Sequence, residues 1–129
     1  MTDAISRVGG ILIWTEHARF PAMRDFYVDT LGLAPRSDRD RFVNFAWGSG
    51  EAEFRLTISV HEAVEGSTGE PLRQMLNLTV EDIDAAHQRL ADRGVTFTRP
   101  PEQEPWGGWV ATFADPDGNT LQLLQPAVT

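Results

Sequence analysis

The order of predicted elements (strand, helix, short strand, hairpin) occurs twice along the chain, and this repeat constrains the fold more than any single motif. In the first half the apolar strand Arg7–Trp14 precedes the helix-forming segment Phe20–Gly32. In the second half Gln74–Val80 precedes Glu81–Gly94, and the short strand Val95–Pro101 follows. One such unit cannot bury its sheet face alone, so the repeat predicts an α+β fold of two tandem βαβββ modules.

Periodicity supports each assignment. Residues at helical spacing form an apolar stripe in both predicted helices: Phe20, Met23, Tyr27 and Leu31 in the first, and Ile83, Ala86 and Leu90 with His87 beside them in the second. Alternating segments joined by turn residues predict the hairpins, with strands at 41–48 and 53–60, then 108–114 and 120–125.

The polar segment His61–Pro71 contains glycines and has no periodicity, which predicts a linker. We therefore expect one domain over residues 1–129, with module one at about 7–60, a linker at 61–73 and module two at 74–126. A chain of 129 residues can bury a core without disulfide bonds or metal ions.

Composition excludes several classes of function. The formal net charge is −8, whereas nucleic-acid binding needs clustered basic residues. The absence of cysteine excludes disulfides, a thiolate nucleophile and cysteine-ligated metal sites. The apolar stretch Val8–Trp14 is too short to span a membrane and lacks the flanks of a signal peptide. We therefore expect a cytoplasmic protein that binds neither nucleic acid nor membranes.

Three segments carry a resemblance to a known family: "RDFYVDTLGL" (Arg24–Leu33), "LTVEDIDAAHQRLADRGV" (Leu78–Val95) and "FADPDGNTLQLLQ" (Phe113–Gln125). With the repeat, they resemble the vicinal oxygen chelate superfamily of glyoxalases, extradiol dioxygenases and antibiotic-resistance proteins. The resemblance implies mixed sheets that curl into a cup, usually completed in a homodimer. It does not fix the function, because members are either metalloenzymes or metal-free binders.

The resemblance also implies four metal-ligand positions, one on the first strand and one on the last strand of each module. Carried over to this chain, they fall at Gly9 (with Gly10 next to it), Arg55, Met75 and Gln122. Glycine has no ligating side chain, a guanidinium repels a cation, and a thioether suits hard divalent ions poorly. Only the Gln122 amide could bind a metal ion, so we expect no metal and no cofactor at this site.

The three histidines, His17, His61 and His87, match no metal motif in their spacing. We expect His87 to pack between helix and sheet. His61 and Glu62, at a strand end, leave an unconventional metal site open. No serine lies in the sequence context of a nucleophile elbow, so a catalytic triad has no support.

The remaining candidates for ligand contact are aromatic or cationic: Trp14, Trp47, Arg55, Trp106 and Trp109, together with Gln122. Indole rings provide flat apolar area at low entropic cost, and "EPWGGW" (Glu104–Trp109) suits a loop that closes over a planar ligand. For Trp14 and Trp47 a place in the core or in a dimer interface is equally open. Arg55 could bind a ligand carboxylate or phenolate, but an ion pair with Glu53 or Glu16 is favoured.

The leading hypothesis is a metal-free binding protein of the bleomycin-resistance type, a homodimer that sequesters a small aromatic or antibiotic-like molecule. The alternative is a metal-dependent glyoxalase, lyase or dioxygenase with displaced ligands drawn from His17, His61, Glu53, Glu104 and Gln122. A metal-free enzyme using Arg55 and a carboxylate is the third hypothesis, and nothing in the sequence requires it. Whether the protein is an enzyme stays open.

Overall fold

The computed structural model describes residues 4–128, and the chain divides into two compact units, Met1–Glu65 and Gly66–Thr129. Each unit contains one four-stranded mixed sheet and one main helix. None of the helices within residues 4–128 has the length and apolar character needed to cross a membrane.

The sheet of unit one has the strand order β1-β4-β3-β2. Its strands are β1 (Gly10–Thr15), β2 (Ser37–Asp38), β3 (Phe42–Trp47) and β4 (Phe54–Val60). β1 runs parallel to β4, while β3 is antiparallel to both β4 and β2. Parallel strands cannot be joined by a tight turn and need a longer crossover. The helical segment between β1 and the β3–β4 hairpin provides this crossover.

The helix of unit one buries the whole stripe that the sequence predicts. A 3₁₀ turn at His17–Arg19 leads into helix α1 (Phe20–Asp25), which continues as a π-helical turn over Phe26–Thr30. The four stripe residues are at most 6% exposed: Phe20, Met23, Tyr27 and Leu31. The π-helical turn was not expected; it is closed by a hydrogen bond of 2.8 Å from the Leu31 N–H to the Phe26 carbonyl.

The segment "SDRDR" (Ser37–Arg41) was expected to be a solvated loop, but its first two residues form β2. Asp38 on this strand accepts hydrogen bonds from the Arg24 guanidinium, with Nη2 at 2.6 Å from Oδ2. These hydrogen bonds lower the pKa of Asp38 and raise that of Arg24. The ion pair connects α1 to the outermost strand, a long-range contact that charge pattern alone does not reveal.

Unit two repeats this topology with the strand order β5-β8-β7-β6. Its strands are β5 (Met75–Thr79), β6 (Phe97–Gln103), β7 (Trp109–Ala114) and β8 (Thr120–Gln125). β5 is parallel to β8, and β7 is antiparallel to its two neighbours. The repeat predicted from the sequence is therefore confirmed: each unit is one βαβββ module, and each sheet is open with two edge strands.

Helix α2 (Ile83–Asp92) is capped at its N-terminus by two side chains. Asp82 accepts a hydrogen bond from the Ala85 N–H at 3.1 Å, and Gln125 accepts one from the Ile83 N–H at 2.8 Å. Ile83 is 2% exposed. The capping therefore satisfies helix-terminal donors at the point where α2 packs on its sheet.

Two further sequence predictions are resolved in unit two. The His87 ring lies 4.4 Å from the Phe97 ring, so the expected packing between helix and sheet is confirmed. The short strand was expected to end at the prolines, but β6 continues through Pro100 and Pro101 to Gln103. β6 lies at the sheet edge and its register shifts between Arg99 and Glu102. Edge strands and bulges tolerate proline because it donates no ladder hydrogen bond there.

Candidate ligand-binding site

Trp14 and Arg55 lie on the same face of the sheet in unit one. Arg55 is opposite Gly10, and Trp14 lies four residues further along β1, so strand alternation places both side chains on one side. Leu12 lies between them, opposite Thr57. Leu12 is 44% exposed, Trp14 46%, and the Arg55 side chain 60%. We call the surface formed by Leu12, Trp14, Arg55 and Thr57 the open face.

Trp47 lies on the opposite face of this sheet. Ala46, its neighbour on β3, is the residue opposite Arg55, so Trp47 points away from the open face. Its ring lies 6.5 Å from that of Phe45, a core residue. The structure therefore brings Trp14 and Arg55 together and leaves Trp47 at the margin of the core.

Glu53 connects three arginine side chains beside the open face. Arg36 Nη1 lies 2.8 Å from Glu53 Oε1, and Arg55 Nε lies 3.6 Å from Oε2. Arg7 donates a hydrogen bond of 2.6 Å to the Glu53 backbone carbonyl. The favoured ion pair between Arg55 and Glu53 is therefore present, but its distance exceeds that of a hydrogen bond. The contacts of Arg36 and Arg7 with Glu53 were not predicted, because the sequence does not show which residues the strand pairing brings next to Glu53.

Gln122 lies next to Asn77 in the sheet of unit two. These residues are opposite each other in the parallel β5–β8 pair, and Gln122 Nε2 donates a hydrogen bond of 2.9 Å to Asn77 Oδ1. Met75, which was placed at this position, is instead opposite Thr120. The sequence-based assignment is thus corrected from Met75 to Asn77, a shift of two residues along β5.

A simple signal could have located Asn77. Gly10 and Arg55 are separated by 55 − 10 = 45 residues, and Asn77 and Gln122 by 122 − 77 = 45. The two modules therefore use the same spacing between their paired positions. Had Gly10 been taken in place of Gly9, applying the spacing of 45 residues back from Gln122 would have identified Asn77.

The residues at these four positions do not fit a divalent metal ion. A Cβ atom on Gly10 would lie 2.3 Å from the Arg55 carbonyl oxygen, so this position has no room for a ligating side chain. Arg55 contributes a cation. Asn77 and Gln122 are neutral amides that hydrogen-bond to each other. In unit two the two neutral amides are weak ligands, and in unit one the guanidinium repels a cation, so neither pair of positions provides a metal site.

Two of the displaced ligands of the alternative hypothesis, His61 and Glu104, have other partners. His61 Nδ1 accepts a hydrogen bond from the Ala63 N–H at 3.0 Å, and its ring makes an edge contact with Trp14 at 4.8 Å. Glu104 lies 2.5 Å from the Arg99 guanidinium. Within residues 4–128 no three histidine, aspartate or glutamate side chains lie close enough together to hold a metal ion.

The loop between β6 and β7 is held by hydrogen bonds. The Glu104 N–H donates to the Gly108 carbonyl at 2.8 Å, and the Gly107 N–H donates to the Glu104 carbonyl at 2.9 Å. The Gln103 amide donates to the Gly107 carbonyl at 3.1 Å. Hydrogen bonds to Glu102, and then to Glu104, raise the pKa of the Arg99 guanidinium. The two glycines therefore form part of a closed turn, although a flexible loop was expected.

Trp106 projects from this turn, and its indole ring occupies the space beside Gly108. A Cβ atom at Gly108 would lie 1.9 Å from a Trp106 ring carbon. Gly108 is buried and Trp106 is 56% exposed. Trp109 is half-buried and alternates onto the side of Phe113, away from Gln122. Of the two tryptophans in this segment, Trp106 is the one with a largely accessible ring.

Comparison with known proteins identifies the family. Residues 17–123 match the Glyoxalase/Bleomycin resistance protein/Dioxygenase superfamily. The chain belongs to this superfamily. The resemblance inferred from the sequence is thereby confirmed, and the paired βαβββ modules agree with it.

Similar proteins include both unassigned and ligand-binding members. YraH, an uncharacterized protein of Bacillus subtilis, is 32% identical over 110 residues, which cover 78% of this chain and 85% of YraH. A superfamily member from Sphaerobacter thermophilus is 32% identical, with a TM-score of 0.66 and coverage of 95% and 98% of the two chains. TnmS3, an antibiotic binding protein from Streptomyces sp. CB03234, is 30% identical, with a TM-score of 0.71 and coverage of 98% and 100%.

Proposed function

We propose that this superfamily member is a metal-free binding protein that sequesters a small aromatic or antibiotic-like molecule. The observation that carries the proposal is the open face, where the exposed Trp14 and Leu12 share a surface with Arg55. An exposed indole on a regular strand offers a flat apolar surface that loses little entropy when a planar ligand stacks on it. The similarity to TnmS3, an antibiotic binding protein, supports this function.

The other predicted contacts have different roles in the proposal. Trp106, with its ring largely accessible, is a second stacking surface, and the Gln122–Asn77 amide pair offers hydrogen-bond donors and acceptors to a ligand. Trp47 and Trp109 lie on the helix-packed sides of their sheets, so we assign them to packing. Gln122 lies where the resemblance implies an acidic metal ligand, and the proposed binding function uses no metal ion.

We propose that the protein has the domain organisation and the oligomeric state expected from its sequence. It is a single domain with a module at about 7–60, a linker at 61–73 and a module at 74–126, and it acts as a homodimer in the cytoplasm. Val8 and Ile11 lie outside the open face, beside and on the edge strand β1, and support association with a second copy, because they are 76% and 37% exposed.

Calorimetric titration with a panel of planar aromatic antibiotics tests this function. We expect at least one compound to bind, and Trp14→Ala to weaken its binding by about tenfold or more, as truncation of a central aromatic contact does. Trp47→Ala is the matched control, because Trp14 and Trp47 are both 46% exposed but lie on opposite faces. It should bind within about twofold of the wild type.

Two results would contradict the proposal. One is the absence of binding across the whole panel by protein whose circular dichroism shows it to be folded. The other is near-stoichiometric nickel, zinc, manganese or iron in protein purified without chelators, which elemental analysis would detect and which would favour the metal-dependent alternative.

A further inference from the structure

The charge on the open face differs in sign from the charge of the whole chain. Among the described residues of β1, β3 and β4 that share this face, Arg55 is the one ionisable side chain, and its neighbours across the sheet are Gly10 and Ala46. The chain as a whole has a formal net charge of −8. An arginine whose neighbours across the sheet are uncharged therefore places a local positive charge on an otherwise acidic protein.

The surroundings of Glu53 strengthen this local positive charge. Arg36 and Arg55 share the Glu53 carboxylate, and Arg7 donates to the Glu53 backbone carbonyl, so the three arginines carry more positive charge than this one carboxylate compensates. Arg36 holds one carboxylate oxygen at 2.8 Å, whereas Arg55 lies 3.6 Å from the other. Arg36 is thus the closer counter-ion of Glu53, and Arg55 is only partly neutralised.

The exposure of the side chains indicates which donors remain accessible. The Glu53 side chain is 23% exposed, while that of Arg55 is 60% exposed. Glu53 therefore steadies the inner part of the Arg55 side chain at Nε and leaves much of the guanidinium accessible. A guanidinium presents paired N–H groups whose geometry matches a carboxylate.

An aromatic surface lies along the same face at a defined spacing. Arg55 on β4 lies opposite Gly10 on β1, and Trp14 lies four residues beyond Gly10. This separation along the strands corresponds to about 13 Å at a rise of roughly 3.3 Å per residue. Leu12 occupies the interval and is 44% exposed. A flat ring system that stacks at Trp14 and crosses Leu12 would bring a substituent at its far end to Arg55.

We infer that the ligand class of the open face is a planar aromatic anion, whose carboxylate or phenolate group binds Arg55 while its rings lie against Leu12 and Trp14. This inference rests on the proposed function and adds the charge of the ligand and the residue that selects it. Arg55 is the specificity residue, and Arg36 is a positioning residue that keeps Glu53 from neutralising it.

A matched pair of probes tests the inference. Anthracene-2-carboxylate and its methyl ester share the same rings and differ in charge. We expect the wild-type protein to bind the carboxylate about tenfold or more tightly than the ester, with the preference decreasing as sodium chloride is added. Arg55→Gln should remove the preference by weakening carboxylate binding, with ester binding within about twofold of the wild type. Arg36→Gln should reduce the preference in the same direction.

Arg73→Gln is the matched control, because Arg73 is an exposed arginine paired with Glu70 outside the open face. It should leave the preference for the carboxylate unchanged. Equal binding of acid and ester by the wild type, or an equal loss of both in Arg55→Gln, would overturn the inference while leaving the proposed binding function intact. Failure of the wild type to bind either probe would also overturn the inference, and the antibiotic panel would then decide the proposed function independently.

Discussion

Gly10 allows β1 to lie close to β4 beside Arg55. A Cβ atom at this position would meet three backbone atoms of Arg55, at 2.3, 3.1 and 3.2 Å. Backbone atoms in a paired strand cannot move aside as a flexible side chain can. The same contact explains why a metal-ligating residue could not replace Gly10 in this sheet geometry. One glycine therefore allows the close pairing of β1 with β4 and leaves the position opposite Arg55 without a metal-ligating side chain.

Replacing Gly10 by alanine should force β1 away from β4. We expect Gly10→Ala to lower the free energy of unfolding by about 1–3 kcal/mol, as overpacking of a well-packed site does. Gly9→Ala is the control, because the nearest atom to its Cβ would be Arg7 Nη1 at 3.8 Å, an ordinary contact. It should change the stability by no more than about 0.5 kcal/mol. Urea unfolding of both variants measures the two changes in the free energy of unfolding. Equal changes would show that the close approach of β1 to β4 does not make Gly10→Ala destabilising.

At the scale of elements, the Arg24–Asp38 ion pair gives the stability a dependence on pH. Hydrogen bonds from Arg24 lower the pKa of Asp38 below its ordinary value of 3.8. Because the folded-state pKa is the lower one, the stabilisation is present above pH 3.8 and is lost as the pH falls through the lowered value. The contact affects the attachment of β2 to α1, since each element contributes one partner.

Asp38→Asn should therefore be less stable than the wild type at pH 7, and the difference should disappear in acid well below pH 3.8. Chemical unfolding measured across this range tests the prediction. Asp40→Asn, in the same segment but without a hydrogen bond to Arg24, should show no such convergence. A difference for Asp38→Asn that persisted in acid would mean that the side chain acts through packing and not through its charge.

The turn between β6 and β7 fixes the position of Trp106 through Gly108. In Gly108→Ala the new methyl group would occupy the space of the indole ring, so the ring must move. Because Trp106 is 56% exposed, we expect a stability change within about 0.5 kcal/mol but an altered near-ultraviolet circular dichroism spectrum. Gly69→Ala, whose Cβ would meet no atom within 4 Å, is the control. An unchanged spectrum in Gly108→Ala would contradict the close contact between the ring and the glycine.

At the scale of the whole molecule, the expected homodimer can be measured directly. Val8 and Ile11 expose apolar surface at β1, an edge strand of its sheet, outside the open face, and such surfaces favour association. Sedimentation equilibrium should give twice the chain mass of 14.4 kDa. Val8→Glu, at a 76% exposed position, should shift the mass towards the monomer, whereas Leu72→Glu, at an 86% exposed position outside the strands, should not. A wild-type mass of 14.4 kDa at all concentrations would contradict the dimer.

The sequence by itself determined the elements and their order, except for strand β2 and the π-helical turn. The helical stripe from Phe20 to Leu31, the capped helix α2 and the hairpins were predictable because periodicity and turn chemistry are local properties of the chain. The positions Arg55 and Gln122 could also be read from the sequence, whereas the positions placed on the first strands, Gly9 and Met75, differ by one and two residues from those opposite Arg55 and Gln122.

Only the tertiary structure decided which side of each sheet those residues occupy. Apolar side chains point to both faces of β3, so the sequence alone does not show that Phe45 and Trp47 point away from the open face. A shift of one residue in register moves every side chain of a strand to the other face. The pairing of β1 with β4 therefore determines that Trp14, and not Trp47, shares a surface with Arg55.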